Sequence, residues 1–311
     1  MIAGLGLILF GANFLTNGAT IIAHRLRVPE FIIGLTIVAV GTSMPELVVS
    51  VLSALKGESS VAIGNVVGSN TFNVFVIGGI CALILPITLT TNNIRRDIPF
   101  GVLTSLLLLV MVSDKWLFGA AENTINRVDG ILMLLIYIAL MFYSIRKGRK
   151  EAKATAEEGS AKGNIAMAIV LIIAGLCGLI FGGDLFLDEA IAIAQQLGVS
   201  ESVIAITLVA GGTSLPELAS SVVSLLKGHS GMALGNIIGS NIANILLILG
   251  VSATITPLAM GGITMFDILM VLLGSVLLFV AAFTFRSREI DRVEGFLFLL
   301  IYVVYIYLLI K

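Results

Sequence analysis

The chain consists of long apolar runs separated by short polar segments. Ten such runs follow one another, at residues 1–23, 31–55, 61–86, 98–113, 128–145, 164–187, 201–226, 232–257, 267–285 and 293–310. A helix of about 20 apolar residues spans the hydrocarbon core of a bilayer. The pattern therefore predicts an all-α polytopic membrane protein with ten transmembrane helices. Composition agrees, because 58% of the residues are hydrophobic and 12% are charged, which excludes a soluble globular class.

Two polar segments in the first half of the chain are repeated in the second half. Gly41–Glu46 returns as Gly212–Glu217, and Gly64–Asn73 returns as Gly235–Asn244. Aligned at a constant offset of 171 residues, the stretches 39–73 and 210–244 are identical at 21 of 35 positions. A carboxylate inside an apolar span is by default a functional hypothesis. Two such segments, each beside Gly and Pro at matching places in two halves, are typical of a transporter binding site.

The repeat divides the chain into two halves with five predicted helices each. Residues 1–145 form the first half and residues 164–311 the second, and the charged, Ala/Gly-rich stretch 146–163 is predicted to be a cytoplasmic linker loop. Because five is an odd number, the second half enters the membrane from the opposite face. The sequence thus predicts two five-helix inverted-topology repeats, with a binding site near the midplane where they meet.

Charge placement predicts the orientation in the membrane. The loops reached after odd-numbered helices carry fourteen Lys and Arg residues, and the other side carries only four, namely Lys56, Lys115, Arg127 and Lys311. Cytoplasmic loops are enriched in positive residues, so both termini are predicted to be extracellular in a multi-pass protein of the plasma membrane. The lipid bilayer is the expected environment. No basic cluster indicates nucleic acid as a partner.

The repeated segments combine helix breakers with oxygen ligands. Pro45 has no N–H to bond the carbonyl of Gly41, and its ring crowds that carbonyl, so the helix is predicted to break at residues 41–44. Carbonyls left unpaired in hydrocarbon need a replacement partner, and a bound cation is one. The available groups are carboxylates, amides, hydroxyls and carbonyls, without His or Cys. Such oxygen ligands suit hard cations such as calcium and sodium.

Two-fold symmetry brings Glu46 and Glu217 together, with Asn73 and Asn244 completing a ring of ligands. Two carboxylates with no buried Lys or Arg can neutralise one divalent ion or accept several sodium ions in turn. Competition for shared ligands is the simplest way to build an antiporter.

These paired GTSxPE and GNxxGSNxxN segments resemble the alpha-repeats of the sodium/calcium exchanger family, within the cation/calcium exchanger superfamily. The resemblance covers nearly the whole chain, and the short linker is similar to that of prokaryotic members, which lack the large regulatory loop of animal exchangers. It implies that the first and sixth helices form a gating pair that slides across the other eight. It also implies a set of ligands for the transported ions Ca²⁺ and Na⁺: Glu46, Glu217, Thr42, Ser43, Ser69, Asn73, Thr213, Ser214, Ser240, Asn244, and the backbone carbonyls of Ala39 and Ala210.

One position departs from part of that family. Some relatives, notably the potassium-dependent exchangers, carry Asp at the place of Asn244. Asparagine in both halves favours potassium independence and gives the site two negative charges when both glutamates are ionised.

The leading hypothesis is an electrogenic antiporter that extrudes calcium using the sodium gradient, without a prosthetic group. A calcium or other divalent cation/proton exchanger, in which the same glutamates carry protons, is the alternative. Those relatives place an extra acidic residue in the GNxx segment, where this chain has Val66-Val67 and Ile237-Ile238. That difference favours sodium and leaves the proton alternative open.

Two other classes fit the sequence less well. A channel needs a continuous pore, usually formed by several subunits, whereas the internal repeat favours alternating access within one chain and is compatible with a monomer. An intramembrane enzyme would need a catalytic constellation. Phe181-Gly182-Gly183-Asp184 is only superficially like the GxGD segment of membrane aspartyl proteases, and no second catalytic Asp is apparent. No enzymatic activity is therefore expected.

Overall fold

The computed structural model describes residues 2–120, 122–155, 164–196, 210–285 and 288–310. Most of these residues are helical. The helices are α1 Ile2–Leu26, α2 Glu30–Thr42, α3 Met44–Leu55, α4 Ser59–Ile84, α5 Ile98–Met111, α6 Asp114–Phe118, α7 Arg127–Thr155, α8 Ile165–Gln196, α9 Ala210–Gly212, α10 Leu215–Leu226, α11 Ser230–Ile255, α12 Met265–Ala281 and α13 Arg292–Ile310. Four two-residue strands lie between them: β1 Ile87–Thr88, β2 Thr124–Ile125, β3 Leu258–Ala259 and β4 Glu289–Ile290.

Six of the described helices are long and apolar enough to cross a membrane, namely α1, α4, α7, α8, α11 and α13. The bent pair formed by α2 and α3 passes the same test and makes a seventh. Helices α10 and α12 are apolar but shorter, and residues 201–209, which belong to the seventh predicted run, lie outside the described residues. A multi-pass membrane protein is therefore confirmed. The count of ten spans stays a prediction.

Helices α4 and α11 form the centre of the bundle. They are the most buried of the spans, whereas α7, α8 and α13 are largely exposed along their apolar faces. An exposed apolar helix face in such a bundle is suited to lipid. Polar side chains on α4 and α11 therefore lie in the interior, where an ion is shielded from both lipid and bulk water.

Both central helices widen into π-helical turns near their middle, at Asn73–Gly78 in α4 and Ala243–Leu249 in α11. Two further π-helical segments are Gly34–Val38, within α2, and Asn93–Asp97, directly before α5. Such turns are rare and frequently occur at functional sites. The sequence pattern gave no indication of them.

The predicted break in the second span is confirmed. Helix α2 ends at Thr42, Ser43 leaves the helical region with φ −83° and ψ 11°, and α3 starts at Met44 after a bend of 48°. Pro45 occupies the first turn of α3, where a missing N–H costs nothing. The matching break separates α9 from α10, with Pro216 in the same position.

Each half of the chain pairs its strands with the other half. Strand β1 pairs with β4 and β2 pairs with β3, both antiparallel, so that Ile87 lies opposite Ile290 and Ile125 lies opposite Leu258. The repeat makes β1 equivalent to β3 and β2 equivalent to β4. The two small sheets are therefore two copies of one interaction.

Helices α1 and α8 pack against each other along most of their length, with glycines at the contact. A Cβ on Gly11 would lie 2.6 Å from the backbone nitrogen of Leu179, and one on Gly175 would lie 2.5 Å from that of Leu15. Small residues allow such close backbone approach in membranes. These two helices are the first and sixth predicted spans.

Helix α7 continues beyond the first predicted half. The sequence predicts a linker loop at residues 146–163, whereas the helix extends through the first part of that stretch to Thr155. Residues 156–163 lie outside the described residues.

Candidate cation site

Two buried glutamates occupy equivalent places in the first turns of α3 and α10. Glu46 is 0% exposed and Glu217 is 1% exposed. Each directly follows the proline in the first turn of its helix, so the break in the backbone fixes where the carboxylate lies. Within the described ranges, no group of three His, Cys, Asp or Glu side chains could hold a metal ion, so any ligand set here must combine the two carboxylates with neutral oxygens.

Each glutamate accepts a hydrogen bond from the serine that precedes its counterpart. The hydroxyl of Ser43 donates to Glu217 Oε1 at 2.7 Å, and that of Ser214 donates to Glu46 Oε1 at 3.1 Å. Ser69 also donates to Glu46 Oε1, at 3.4 Å, and lies 2.9 Å from the hydroxyl of Ser214. The serines thus fix one oxygen of each carboxylate and connect the two halves of the chain.

Four asparagines form a second reciprocal set where α4 crosses α11. Asn73 Nδ2 donates to Asn241 Oδ1 at 3.1 Å, and Asn244 Nδ2 donates to Asn70 Oδ1 at 3.0 Å. The amides of Asn70 and Asn241 each donate to the other's backbone carbonyl at 3.4 Å. Asn244 also donates to Ser69, at 3.0 Å. All four side chains are buried, and their amide nitrogens are oriented by these bonds.

Several oxygens in this cluster have no hydrogen-bond partner. Among the described residues, the unpartnered buried atoms include Oε2 of Glu46, Oε2 of Glu217, Oδ1 of Asn73 and Oδ1 of Asn244. A buried acceptor without a partner costs about 1–3 kcal/mol, and more when it is charged. Because the other oxygen of each carboxylate and the amide nitrogen of each asparagine already have partners, these free oxygens are the groups available to a cation.

The predicted hydroxyl ligands differ in their surroundings. Ser240 and Thr213 each have a buried hydroxyl oxygen without a partner. Thr42 Oγ1 instead lies 3.3 Å from the carbonyl of Ala39 and 3.3 Å from Asn236 Oδ1. The Ala39 carbonyl also accepts the backbone N–H of Ser43, at 3.0 Å. Its counterpart Ala210 is the first residue of α9.

Sequence reasoning missed two asparagines that support the glutamates from behind. Asn65 donates to the backbone carbonyl of Glu46 at 3.1 Å and to Ser50 at 2.9 Å. Asn236 donates to the carbonyl of Glu217 at 3.3 Å, and to the hydroxyls of Ser220 and Ser221 at 2.8 and 2.9 Å. In the sequence, these supporting residues are marked by the repeated Gly-Asn pairs and by the serine four residues after each glutamate. Asn70 and Asn241 were likewise visible in the repeat and absent from the predicted ligand set.

Comparison with known proteins assigns this chain to a family. The family model described as sodium/calcium exchanger protein matches residues 1–146 and 167–311. The sodium/calcium exchanger MaX1 of Methanosarcina acetivorans is 31% identical, with 99% of this chain and 97% of that protein aligned. CaxA of Alkalimonas amylolytica is 35% identical over 99% of this chain and 97% of its own length.

A solved structure shares the fold. The sodium-calcium exchanger NCX_Mj, soaked with Na⁺ and Ca²⁺, superposes with a TM-score of 0.84 at 32% identity, covering 99% of this chain and 96% of that one. Both halves of the chain and the whole fold agree with one family of membrane transporters rather than with an enzyme or a channel. The chain belongs to the sodium/calcium exchanger family.

Proposed function

We propose that this protein is an antiporter that exchanges sodium for calcium by alternating access, and that it extrudes calcium electrogenically at the expense of the sodium gradient. The observation that carries the proposal is the set of unpartnered buried oxygens on Glu46, Glu217, Asn73 and Asn244. Two charged and two neutral oxygens, contributed equally by both halves, match the chemistry of a hard cation.

The ligand set is proposed to extend beyond these four side chains. Calcium takes six to eight oxygen ligands, and the predicted set supplies further hydroxyl and carbonyl oxygens: Thr42, Ser43, Ser69, Thr213, Ser214, Ser240, and the carbonyls of Ala39 and Ala210. Ser43, Ser69 and Ser214 now each donate a hydroxyl hydrogen to a carboxylate. When an ion binds, that hydrogen bond can break and the hydroxyl can rotate, so that its oxygen lone pair faces the ion.

Shared ligands explain why the two ions compete. One calcium ion neutralises both carboxylates, and sodium ions entering the same cluster need the same oxygens. Because the oxygen ligands outnumber the carboxylates, more than two sodium ions can replace one calcium ion, and that exchange moves net charge. Sodium is favoured over protons as the coupling ion since the GNxx segments are apolar at Val66-Val67 and Ile237-Ile238. The names and soaking ions of the relatives, MaX1 and NCX_Mj, point to the same pair of ions.

The architecture proposed for this cycle is ten spans in two inverted repeats, residues 1–145 and 164–311, joined by the linker 146–163. The reciprocal hydrogen bonds of the serines and asparagines support it, as does the crossed pairing of the four strands. We place both termini outside a plasma membrane on the basis of the lysine and arginine distribution. One chain contains both halves of the site, so a monomer suffices.

The test is calcium uptake into proteoliposomes loaded with sodium and diluted into sodium-free medium with a protonophore present. Uptake by wild type that needs internal sodium and disappears in Glu46→Gln supports sodium/calcium exchange at this site. An exposed-site variant, Glu122→Gln, should behave as wild type, because Glu122 lies on the surface. Calcium uptake that is independent of internal sodium but is driven by an imposed pH gradient, measured without protonophore, would refute sodium/calcium exchange and indicate calcium/proton exchange.

A further inference from the structure

The two ends of the candidate cation site are packed differently. At one end α1 packs closely along α10. At the other end α8 and α3, their equivalents in the repeat, are separated by a cavity of about 380 Å³ whose lining includes Val48, Gly183, Asp184 and Thr213. The contact between α1 and α10 is therefore closed, whereas the equivalent contact between α8 and α3 is open.

The closed end is held by side chains on α1 and at the end of α10. Lys227 Nζ donates to Asn17 Oδ1 at 2.7 Å and to the backbone carbonyl of Asn13 at 3.1 Å. One turn deeper, the hydroxyls of Thr16 and Ser224 lie 3.1 Å apart. These bonds join α1, one of the two helices proposed to slide, to a helix that carries a site glutamate.

The repeat identifies the same three positions at the open end. At the offset of 171 residues, Lys56 corresponds to Lys227, Asp188 to Asn17, and Asp184 to Asn13. All three side chains are exposed. In the part of the chain that the structure describes, the Lys56 ammonium makes no ion pair with either aspartate. Lys56 follows α3 directly, and Asp188 lies on α8 one turn beyond Asp184, which lines the cavity.

We propose that Lys56 forms an ion pair with Asp188 that closes this end of the protein in the alternate conformation, as Lys227 with Asn17 closes the other end in the conformation described here. The inference rests on the proposed alternating access. By the repeat, the Lys56 ammonium also reaches the backbone carbonyl of Asp184. Lys56 and Lys227 are then opposing latches, and each one stabilises the conformation in which its own end is closed.

The two latches are not chemically equal. At the closed end His229 adds a second connection, since Nδ1 lies 2.8 Å from Glu30 Oε1 and Nε2 lies 3.4 Å from Thr20 Oγ1. The repeat puts Glu58 in the place of His229 and Glu201, outside the described residues, in the place of Glu30. Two carboxylates cannot form that pair, and in this proposal the Lys56 ammonium meets a carboxylate where the Lys227 ammonium meets an amide.

The experiment follows the accessibility of a cysteine in the cavity. Gly183→Cys is the reporter, because a Cβ at that position meets only Pro216 Cδ, at 4.0 Å. Cys177 is exposed and is replaced by Ala, whereas Cys81 is buried. The rate of reaction with a membrane-impermeant thiol reagent is measured in proteoliposomes without an ion gradient. Lys227→Gln should lower the rate and Lys56→Gln should raise it. Each change should be about two- to fivefold, as expected for loss of one exposed charged contact.

Three further variants test the pairing itself. Asp188→Ala, which removes the acceptor, should reproduce Lys56→Gln, and the exchanged pair Lys56→Asp with Asp188→Lys should return the rate toward wild type, which is the outcome of a direct interaction. Lys115→Gln removes an exposed lysine from the same side of the protein and should leave the rate unchanged. The latch is refuted if both lysine variants shift the rate in the same direction, if neither does, or if the exchanged pair fails to restore it. Since no transport is measured, failure of calcium exchange and failure of the latch are separate results.

Discussion

The site geometry predicts that replacing one glutamate lowers the binding affinity for calcium and for sodium by different factors. Glu46→Gln keeps the shape of the side chain and one of its oxygens but removes a full negative charge. The carboxylate is fully buried, so bulk water screens it poorly. We expect calcium binding to weaken far more than sodium binding, because the lost Coulomb energy is proportional to the charge of the ion.

The magnitude follows from the distances at which such ligands act. At about 4 Å and an effective dielectric constant of about 20, two unit charges interact by about 4 kcal/mol. A monovalent ion therefore loses up to about 4 kcal/mol and a divalent ion up to about 8 kcal/mol. Since about 1.4 kcal/mol is a factor of ten, calcium affinity should fall by about twice as many decades as sodium affinity.

The measurement is equilibrium binding of calcium to purified protein, with sodium as competitor, for wild type, Glu46→Gln and the surface control Glu122→Gln. Calcium and sodium affinities that fall by equal factors would refute the Coulomb reasoning and indicate a loss of shape rather than charge. Unchanged affinities would remove Glu46 from the site altogether.

Two smaller predictions follow from the packing around the glutamates. Asn236→Ala should lower the thermal unfolding temperature in detergent more than Asn65→Ala, because Asn236 donates to three acceptors and its Oδ1 lies 3.3 Å from the hydroxyl of Thr42; an equal loss would show that the extra bonds contribute nothing. Gly235→Ala should destabilise the protein by about 1–3 kcal/mol, because the added Cβ would overlap the backbone carbonyl oxygen of Phe31. Gly68→Ala is the matched control, since a Cβ there meets nothing within 4 Å, and similar unfolding temperatures for the two glycine variants would contradict the packing argument.

The sequence predicted those features that depend on residue type at a repeated position. Apolar runs indicated the spans, Pro45 and its counterpart Pro216 indicated the broken helices, and the duplicated polar segments indicated the glutamates and their serines. Each of these follows from local chemistry, since proline breaks a helix wherever it stands in its interior and buried carboxylates are costly without a function.

The features that escaped prediction depend on geometry between distant residues. Nothing in the composition of Asn73–Gly78 distinguishes a π-helical turn from an α-helical one. The choice of Asn70 as the partner of Asn244 depends on where α4 crosses α11. Helix α7 continues to Thr155 because the polar residues that follow the apolar run still favour a helix. Such details are set by packing, which residue patterns describe only indirectly.

The crossed pairing of the strands has a consequence for biogenesis. Ile87 and Ile125 belong to β1 and β2, whose partner strands β4 and β3 are synthesised only after the linker. While the second half is still being synthesised, β1 and β2 therefore have no partner strands. Unpaired edges recruit other chains, and contacts between residues far apart in sequence form late. We therefore expect the nascent first half to stay an incomplete unit until the second half is made, and a chain truncated at the linker to be a substrate for quality-control proteolysis.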